Sequence, residues 1–368
     1  MRHFIDFSDL SLAEWEGVYR RFEDILAHPA DYRDVARGQV MGSLFFEPST
    51  RTNFSFQAAM QRLGGGVFSM SDPSATSVSK GETLSDTIVM CSGYADLLIV
   101  RHPREGAAMA SSLYSRVPVV NAGDGGHLHP TQTLIDLAAI TRRRGSVSGL
   151  HIGVCGDLKY GRTAHSLIRA LASFPGLSLS LISPRELAIP EYLRMFLRAC
   201  GQACMETSSL EDTLPHLDVL YMTRIQHERL ADPSAYDRLR GVYVLTTDKL
   251  SAAKRDLLIL HPLPRREEIS VEVDRDPRAF YFEQARLGMY VRMALLTHLL
   301  EQPRGDLPPP PDSHNHGHNN GHSQGQGQGH SHGRGHPSFV CANPRCIAAS
   351  ERYLPALSDG KRCLYCDN

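Results

Sequence analysis

The chain has 368 residues, 39 Lys and Arg against 40 Asp and Glu, and 42% hydrophobic content, for a net charge of -1. That length accommodates two α/β domains and an appendage, and the balanced charge creates no global field that would gather nucleic acid or an anionic membrane. No run approaches the roughly 20 apolar residues of a membrane span, and the acid-bearing N-terminus lacks a signal-peptide core and cleavage site, so the cytoplasm is the expected location.

Taken in chain order, an amphipathic helix is predicted from Ser11, with Leu12, Trp15, Val18, Tyr19, Phe22 and Ile25 on one face. Short apolar runs then alternate with helical patterns. Strands are predicted at 40–46, 96–100, 117–121, 151–155, 177–182, 219–221, 242–245 and 257–260. Helices are predicted at about 52–63, 82–93, 131–144, 162–173, 190–200 and 285–301. This alternation implies an α/β fold of two doubly wound parallel-sheet domains, 1–145 and 146–284, bridged by helices, with a last helix at 285–302 packing back on the first. A Pro-, His- and Gly-rich linker at 303–338 has little to bury and is expected to be disordered, ahead of a small four-cysteine domain at 339–368.

In open α/β sheets ligands sit at the carboxyl ends of strands. The first strand runs into Glu47-Pro48-Ser49-Thr50-Arg51-Thr52 and then a helix. Free N–H groups at the helix start, three hydroxyls and a guanidinium suit an oxyanion. The plainer alternative is a capped helix with a surface Arg. Arg101 ends the next strand. A Gly-rich turn, Gly123 to His129, then opens the bridging helix with Pro130 in its first turn.

The run FFEPSTRT resembles the carbamoyl-phosphate signature of the aspartate and ornithine carbamoyltransferases, and HPTQTLIDL from His129 resembles that family's carbonyl-binding segment. The resemblance implies that carbamoyl phosphate is bound in 1–145 by Ser49, Thr50, Arg51, Thr52, Ser77, Arg101, His129 and Gln132, with Leu263 and Pro264 from the second domain. It implies that His129 donates to the carbamoyl oxygen and that Gln132 contacts the carbamoyl amine. Ser74-Ala75-Thr76-Ser77-Val78-Ser79-Lys80-Gly81-Glu82-Thr83-Leu84 could be a solvated loop. By resemblance it is a mobile loop reaching a neighbouring subunit's site, with Lys80 on both substrates. Ser77 is preferred over Thr76 as its phosphate ligand. A homotrimer with shared sites follows. Arg51, Thr52, Lys80, Arg101, His129 and Gln132 are the expected catalytic residues.

The second domain reads as a dicarboxylate site. GDLKYGR after the strand at 151–155 departs from G-x-G-x-x-G, so a dinucleotide is a weak reading. Arg162 can instead hold a carboxylate bidentately. Arg224 and Gln226 follow the next strand, and His261-Pro262-Leu263-Pro264-Arg265 forms a turn whose prolines leave carbonyl oxygens to face a ligand. Ornithine enzymes carry His-Cys-Leu-Pro there. Lys80, Arg162, Arg224, Gln226, Pro262 and Leu263, with Arg265 near, imply aspartate. The implied activity is aspartate carbamoyltransferase chemistry, the committed step of pyrimidine biosynthesis, which needs no metal or organic cofactor for catalysis. An inactive homologue kept as scaffold, or a carbamoyltransferase for another amino acid, are the alternatives.

Cys91, Cys155, Cys200 and Cys204 are scattered and read as free thiols. Cys341-x4-Cys346 and Cys363-x2-Cys366 suit a tetrahedral structural Zn2+, with two disulfides the alternative. This tail resembles the zinc domain of the separate regulatory chain of bacterial aspartate carbamoyltransferases. Its inter-pair loop is shorter, and no nucleotide-binding domain accompanies it. The linker histidines (His314, His316, His318, His322, His330, His332, His336) fit a biased spacer or a metal-buffering tract.

Overall fold

The computed structural model describes residues 3–226, 238–239, 241–302, 341–351, 353–359 and 362–367. The linker reading and its seven histidines lie outside the described residues.

The first sheet is built from α1 (Leu12–Ala27), β1 (Val40–Phe45), α2 (Thr50–Arg62), β2 (Gly66–Met70), α3 (Leu84–Ser92), β3 (Leu97–His102), α4 (Ala107–Tyr114), β4 (Val119–Asp124) and α5 (Pro130–Arg144). Its four strands are parallel in the order β2-β1-β3-β4. β3 shows why a continuous apolar run is required. Leu97 and Ile99 enter the main core, whereas Leu98 and Val100 enter a second core on the opposite face. α1 begins at a capping box in which Ser11 and Glu14 exchange side-chain and backbone hydrogen bonds.

The second sheet contains β5 (His151–Cys155), α6 (Arg162–Leu171), β6 (Ser178–Ile182), α7 (Glu191–Ala199), β7 (Cys204–Thr207), α8 (Leu210–Thr213), β8 (Val219–Met222), α9 (Thr247–Leu250) and β9 (Leu258–Leu260). These strands are also parallel, in the order β7-β6-β5-β8-β9. α10 (Tyr281–Leu300) leaves this half and packs against α1, α2 and α5 of the first. α11 (Ile347–Ser350) belongs to the cysteine-rich tail. Strand order reverses direction at β1/β3 and at β5/β8, and both crevices open toward the same cavity.

Four elements depart from the sequence expectation. β2 and β7 are edge strands whose residues are largely exposed or half-buried, so their apolar signal is weak. α4 is an Ala- and Ser-rich helix with a weak apolar stripe, launched from Gly106 at φ +81°. The strand expected at 242–245 is corrected: the segment turns at Val242, and Leu245 makes an isolated bridge with Ile269. Tyr243 and Leu245 are buried in the core of the second half, which explains the apolar signal without a strand. Among the described residues, no helix is long and apolar enough to cross a membrane.

Candidate active site

Between the two sheets lies a cavity of about 510 Å3. Its first wall carries Ser49, Thr50, Arg51, Thr52, Arg101, His129 and Gln132, and its second carries Arg162, Arg224, Gln226, Pro262, Leu263 and Pro264. Thus strand ends scattered over more than 200 residues of sequence converge on one space.

On the first wall, the cap residue Ser49 of α2 makes no side-chain capping bond, so the helix's first N–H groups are not consumed by their own cap. Asn53, one turn in, accepts a hydrogen bond from the Ser43 hydroxyl at 2.9 Å, which ties α2 to β1. Arg51 lies at the cavity, where burial lowers its pKa. Arg101 is buried; its Nη2 lies 2.7 Å from Glu47 Oε2, and its Nη1 donates to the Ala122 carbonyl at 3.2 Å. Arg162, from the opposite wall, reaches the same Glu47 oxygen at 3.1 Å and donates to the Gly125 carbonyl at 2.8 Å. One carboxylate therefore joins guanidinium groups from both halves. Gly123 makes room for them: at φ +118°, an added Cβ would stand 3.1 Å from Arg101 Nη1 and 3.4 Å from Arg162 Cζ.

His129 is held neutral. Burial, followed by the charges of Arg162, Arg101 and Arg292, drives its pKa well below the ordinary value. Its backbone N–H donates to the Ser166 hydroxyl on α6 at 2.6 Å, a second tie across the cavity. Arg292, on α10, escaped the sequence reading. It donates to the Ser55 hydroxyl at 2.9 Å, stacks over Phe56 at 4.9 Å, and is lowered to about 10 by burial. The available signal was a lone Arg inside Tyr290-Val291-Arg292-Met293-Ala294-Leu295, where a charge on an otherwise buried helix requires a reason.

The second wall is shaped by turns. Asp157 caps its own turn by accepting from the Lys159 and Tyr160 N–H groups at 3.1 and 2.9 Å, and its other oxygen accepts from the Gln226 N–H at 3.0 Å. This binds the loop after β5 to the loop after β8. The His261–Pro264 turn is pinned when Nδ1 of His261 accepts from the Leu263 N–H at 2.8 Å. Leu263 itself lies at φ +53° and the Leu263–Pro264 peptide is cis. Arg265 is not a cavity cation. It forms a two-pronged pair with Asp274 and stacks on Tyr281 and Phe282. This internal partner occupies its guanidinium beside the turn.

Residues 2–142 match the family described as aspartate/ornithine carbamoyltransferase, carbamoyl-P binding domain, and residues 148–299 match aspartate/ornithine carbamoyltransferase, Asp/Orn binding domain. The aspartate carbamoyltransferase catalytic subunit of Clostridium perfringens is 52% identical over 300 residues, spanning 81% of this chain and 98% of that relative. The chain belongs to the aspartate carbamoyltransferase catalytic-subunit family. Among solved structures, the catalytic subunit of M. jannaschii aspartate transcarbamoylase aligns with a TM-score of 0.76 at 44% identity, over 82% of this chain and 98% of that one. Trypanosoma cruzi aspartate transcarbamoylase in complex with carbamoyl phosphate aligns with a TM-score of 0.76 at 36% identity, over 81% and 95%.

Two features stand outside this aspartate carbamoyltransferase cavity. Thr76, Ser77 and Lys80 lie on a loop of two short 3-10 turns, Pro73–Ala75 and Ser77–Lys80; Ser77 and Lys80 are exposed and none of the three lines the cavity. The second feature is the four-cysteine tail, which lies beyond the end of the family match at residue 299.

The tail packs on the first half of its own chain. Glu105 receives most of it: its N–H donates to Arg345 O at 3.0 Å, its carbonyl accepts from the Ile347 N–H at 2.8 Å, and its carboxylate accepts from Asn343 Nδ2 at 2.6 Å. Ile347 and Tyr365 join the core formed by Leu84, Ile88, Ala107 and Ala110. Gly106 is indispensable at this contact, since a Cβ would lie 2.4 Å from the Tyr365 carbonyl oxygen. The Tyr353 hydroxyl accepts from the Ser85 N–H at 3.0 Å, at the start of α3. Within the tail, the four Sγ atoms of Cys341, Cys346, Cys363 and Cys366 lie within 4.8 Å of one another, with pairs at 3.6 and 3.8 Å. Thiolates 2.3 Å from a tetrahedral ion would be separated by about 3.8 Å. The group could therefore hold a metal ion, with two of its sulfur pairs already near that spacing.

Proposed function

We propose that this chain transfers the carbamoyl group of carbamoyl phosphate to the amine of L-aspartate, giving N-carbamoyl-L-aspartate and phosphate, a step toward pyrimidines. The observation that carries the proposal is the convergence of an anion cradle and a second set of cations on one cavity. Ser49, Thr50, Arg51 and Thr52 surround the phosphate, with Arg101 bridging to the carbamoyl oxygen. Arg162, Arg224 and Gln226 receive the carboxylates of aspartate, and the Pro262-Leu263-Pro264 turn closes over both substrates. A cationic ornithine side chain would be repelled by the same groups. The relatives named above as aspartate enzymes support this choice.

The amine attacks the carbamoyl carbon, and charge develops on the carbonyl oxygen. Arg101 and neutral His129 donate hydrogen bonds to that oxygen. Losing one such donor typically costs roughly 100- to 1000-fold in rate. The amine proton passes to the departing phosphate, so no protein base is assigned. Holding both substrates in attack geometry supplies much of the remainder. Production of carbamoyl aspartate from carbamoyl phosphate with aspartate, and none with ornithine, tests this reading; equal turnover of both amines would overturn it.

Residues 1–145 and 146–284 are assigned to the carbamoyl phosphate and aspartate halves. Ser77 and Lys80 are assigned to a neighbouring subunit's site within a homotrimer, in keeping with their position away from their own cavity. The four thiols are assigned to a structural Zn2+. The sulfur spacing supports this, as does the smallness of a tail that has little core apart from its docking face. The tail takes the place of a partner's zinc domain on the first half.

A further inference from the structure

Asp136 is fully buried on α5, beneath the cavity and one helical turn beyond Gln132. Its Oδ1 accepts hydrogen bonds from Gln132 Nε2 at 2.7 Å and from Gln284 Nε2 at 2.6 Å. A carboxyl oxygen offers only acceptance to these amides. Each amide must therefore turn its nitrogen toward Asp136 and its oxygen away. For Gln284 the consequence is visible: its Oε1 accepts from the backbone N–H of His261 at 3.0 Å and holds the turn of the second wall. For Gln132, which lines the cavity, Oε1 receives no hydrogen bond from any described residue.

We propose that Asp136 is a positioning residue that fixes the Gln132 amide with its oxygen toward the carbamoyl nitrogen, so that the cavity selects carbamoyl phosphate over an acyl phosphate. This rests on the reading of the cavity as a carbamoyl phosphate site. The carbamoyl NH2 brings two donors, and a methyl group in its place brings none. A freely rotating Gln132 would offer its own NH2 half of the time, and donor would then meet donor. Burial pushes the Asp136 carboxyl up to about 7, opposed by the hydrogen bonds from Gln132 and Gln284; protonated on its other oxygen, it still accepts from both amides. Orientation is therefore retained in either protonation state.

The test compares carbamoyl phosphate, acetyl phosphate and inorganic phosphate as ligands of the full chain. In Asp136→Ala and Gln132→Met, binding of carbamoyl phosphate should weaken about 10- to 100-fold, while the other two change less than about threefold. In Asp136→Ala the loss should appear in KM for carbamoyl phosphate more than in kcat, because the contact exists before and during the reaction. Asp136→Asn, which retains an acceptor for both amides, should restore selectivity. The double variant should lose no more discrimination between carbamoyl phosphate and acetyl phosphate than Gln132→Met alone, since Asp136 acts on the carbamoyl nitrogen through Gln132. If the alanine chain does not fold, Asp136→Thr replaces it in the cycle. Equal weakening of all three ligands, or additive losses of that discrimination in the double variant, would overturn the inference. Wild-type protein that bound neither carbamoyl phosphate nor phosphate would instead sink the reading of the site.

Discussion

Oδ2 of Asp367 lies 3.1 Å from Nε2 of His127, which joins the four-thiol tail to the turn that ends in His129. The same oxygen accepts from Arg169 Nη1 at 2.9 Å, and Arg169 also reaches Asp6 at 3.0 Å. Against the effect of burial, Asp124 and Asp367 raise the His127 pKa to about 10, so the ring is a cation between two acids. Asp367→Ala leaves His127 with Asp124 and Arg169 with Asp6, so it removes charge-assisted hydrogen bonds without stranding either cation and should cost about 1.5–3 kcal/mol. The substitution should therefore lower Tm by roughly 3–12 °C. It should also reduce kcat, because the turn bearing His129 loses a tether. A variant with unchanged melting and unchanged kcat would show that the tail is a passenger.

The first wall of the cavity was legible because its signal is local: hydroxyls and an Arg follow a strand and open a helix, so they stand together at the strand's end. The second wall was legible only as separate turns, since the pairing of Asp157 with Gln226, 69 residues apart, depends on β5 and β8 lying side by side. Arg265 was expected only near the aspartate groups; its pairing with Asp274, on a later segment, is something the sequence does not place. Glu47 was visible within the motif, yet its bridging of Arg101 to Arg162 needs both halves assembled. Edge strands β2 and β7 are short and only partly buried, so their apolar signal is weak.

Metal removal gives a direct test of the tail. If the thiols hold one Zn2+, the purified chain should contain about one metal per chain, and a thiol-competitive chelator should release it. Tm should fall, because the docking face of Ile347 and Tyr365 depends on a fold supplied by the ion. Cys346→Ser should reproduce the loss, since the buried Cys346 thiol sits 3.8 Å from Cys363. A metal-free chain with the same Tm, or intact disulfides found by mass measurement, would refute the assignment.

Two buried groups give opposite pH signatures. Burial raises Asp136 to about 7 from the ordinary 3.8, so the folded state binds its proton more tightly than the unfolded state. That contribution is fully present below about pH 4 and is lost as pH rises through 7. His129 is depressed by burial and by neighbouring arginines, so its contribution is present above 6.5 and is lost as pH falls through its folded value. Asp136→Asn removes only the first. The stability of that variant relative to wild type should climb between pH 4 and 7, by at most about 1.4 kcal/mol per pH unit, and level off above pH 8. Urea unfolding at pH 5, 6, 7 and 8 measures it. A constant difference across that range would mean that the carboxyl titrates normally.

The sharing of sites between subunits can be separated from the chemistry of each residue. Arg51 lines its own cavity, whereas Lys80 is exposed on a loop outside it. If Lys80 serves a neighbour, Lys80→Gln and Arg51→Ala each abolish activity in pure form. A trimer mixed from the two contains boundaries where an intact Arg51 meets an intact Lys80. Unfolding and refolding equal amounts together should then recover a substantial fraction of wild-type activity, up to about one quarter for random assembly, since both intact residues must fall at the same boundary. Mixing without exchange of chains should recover none. If refolded mixtures stay inactive while the assembly re-forms, each site is complete within one chain and the loop closes on its own cavity.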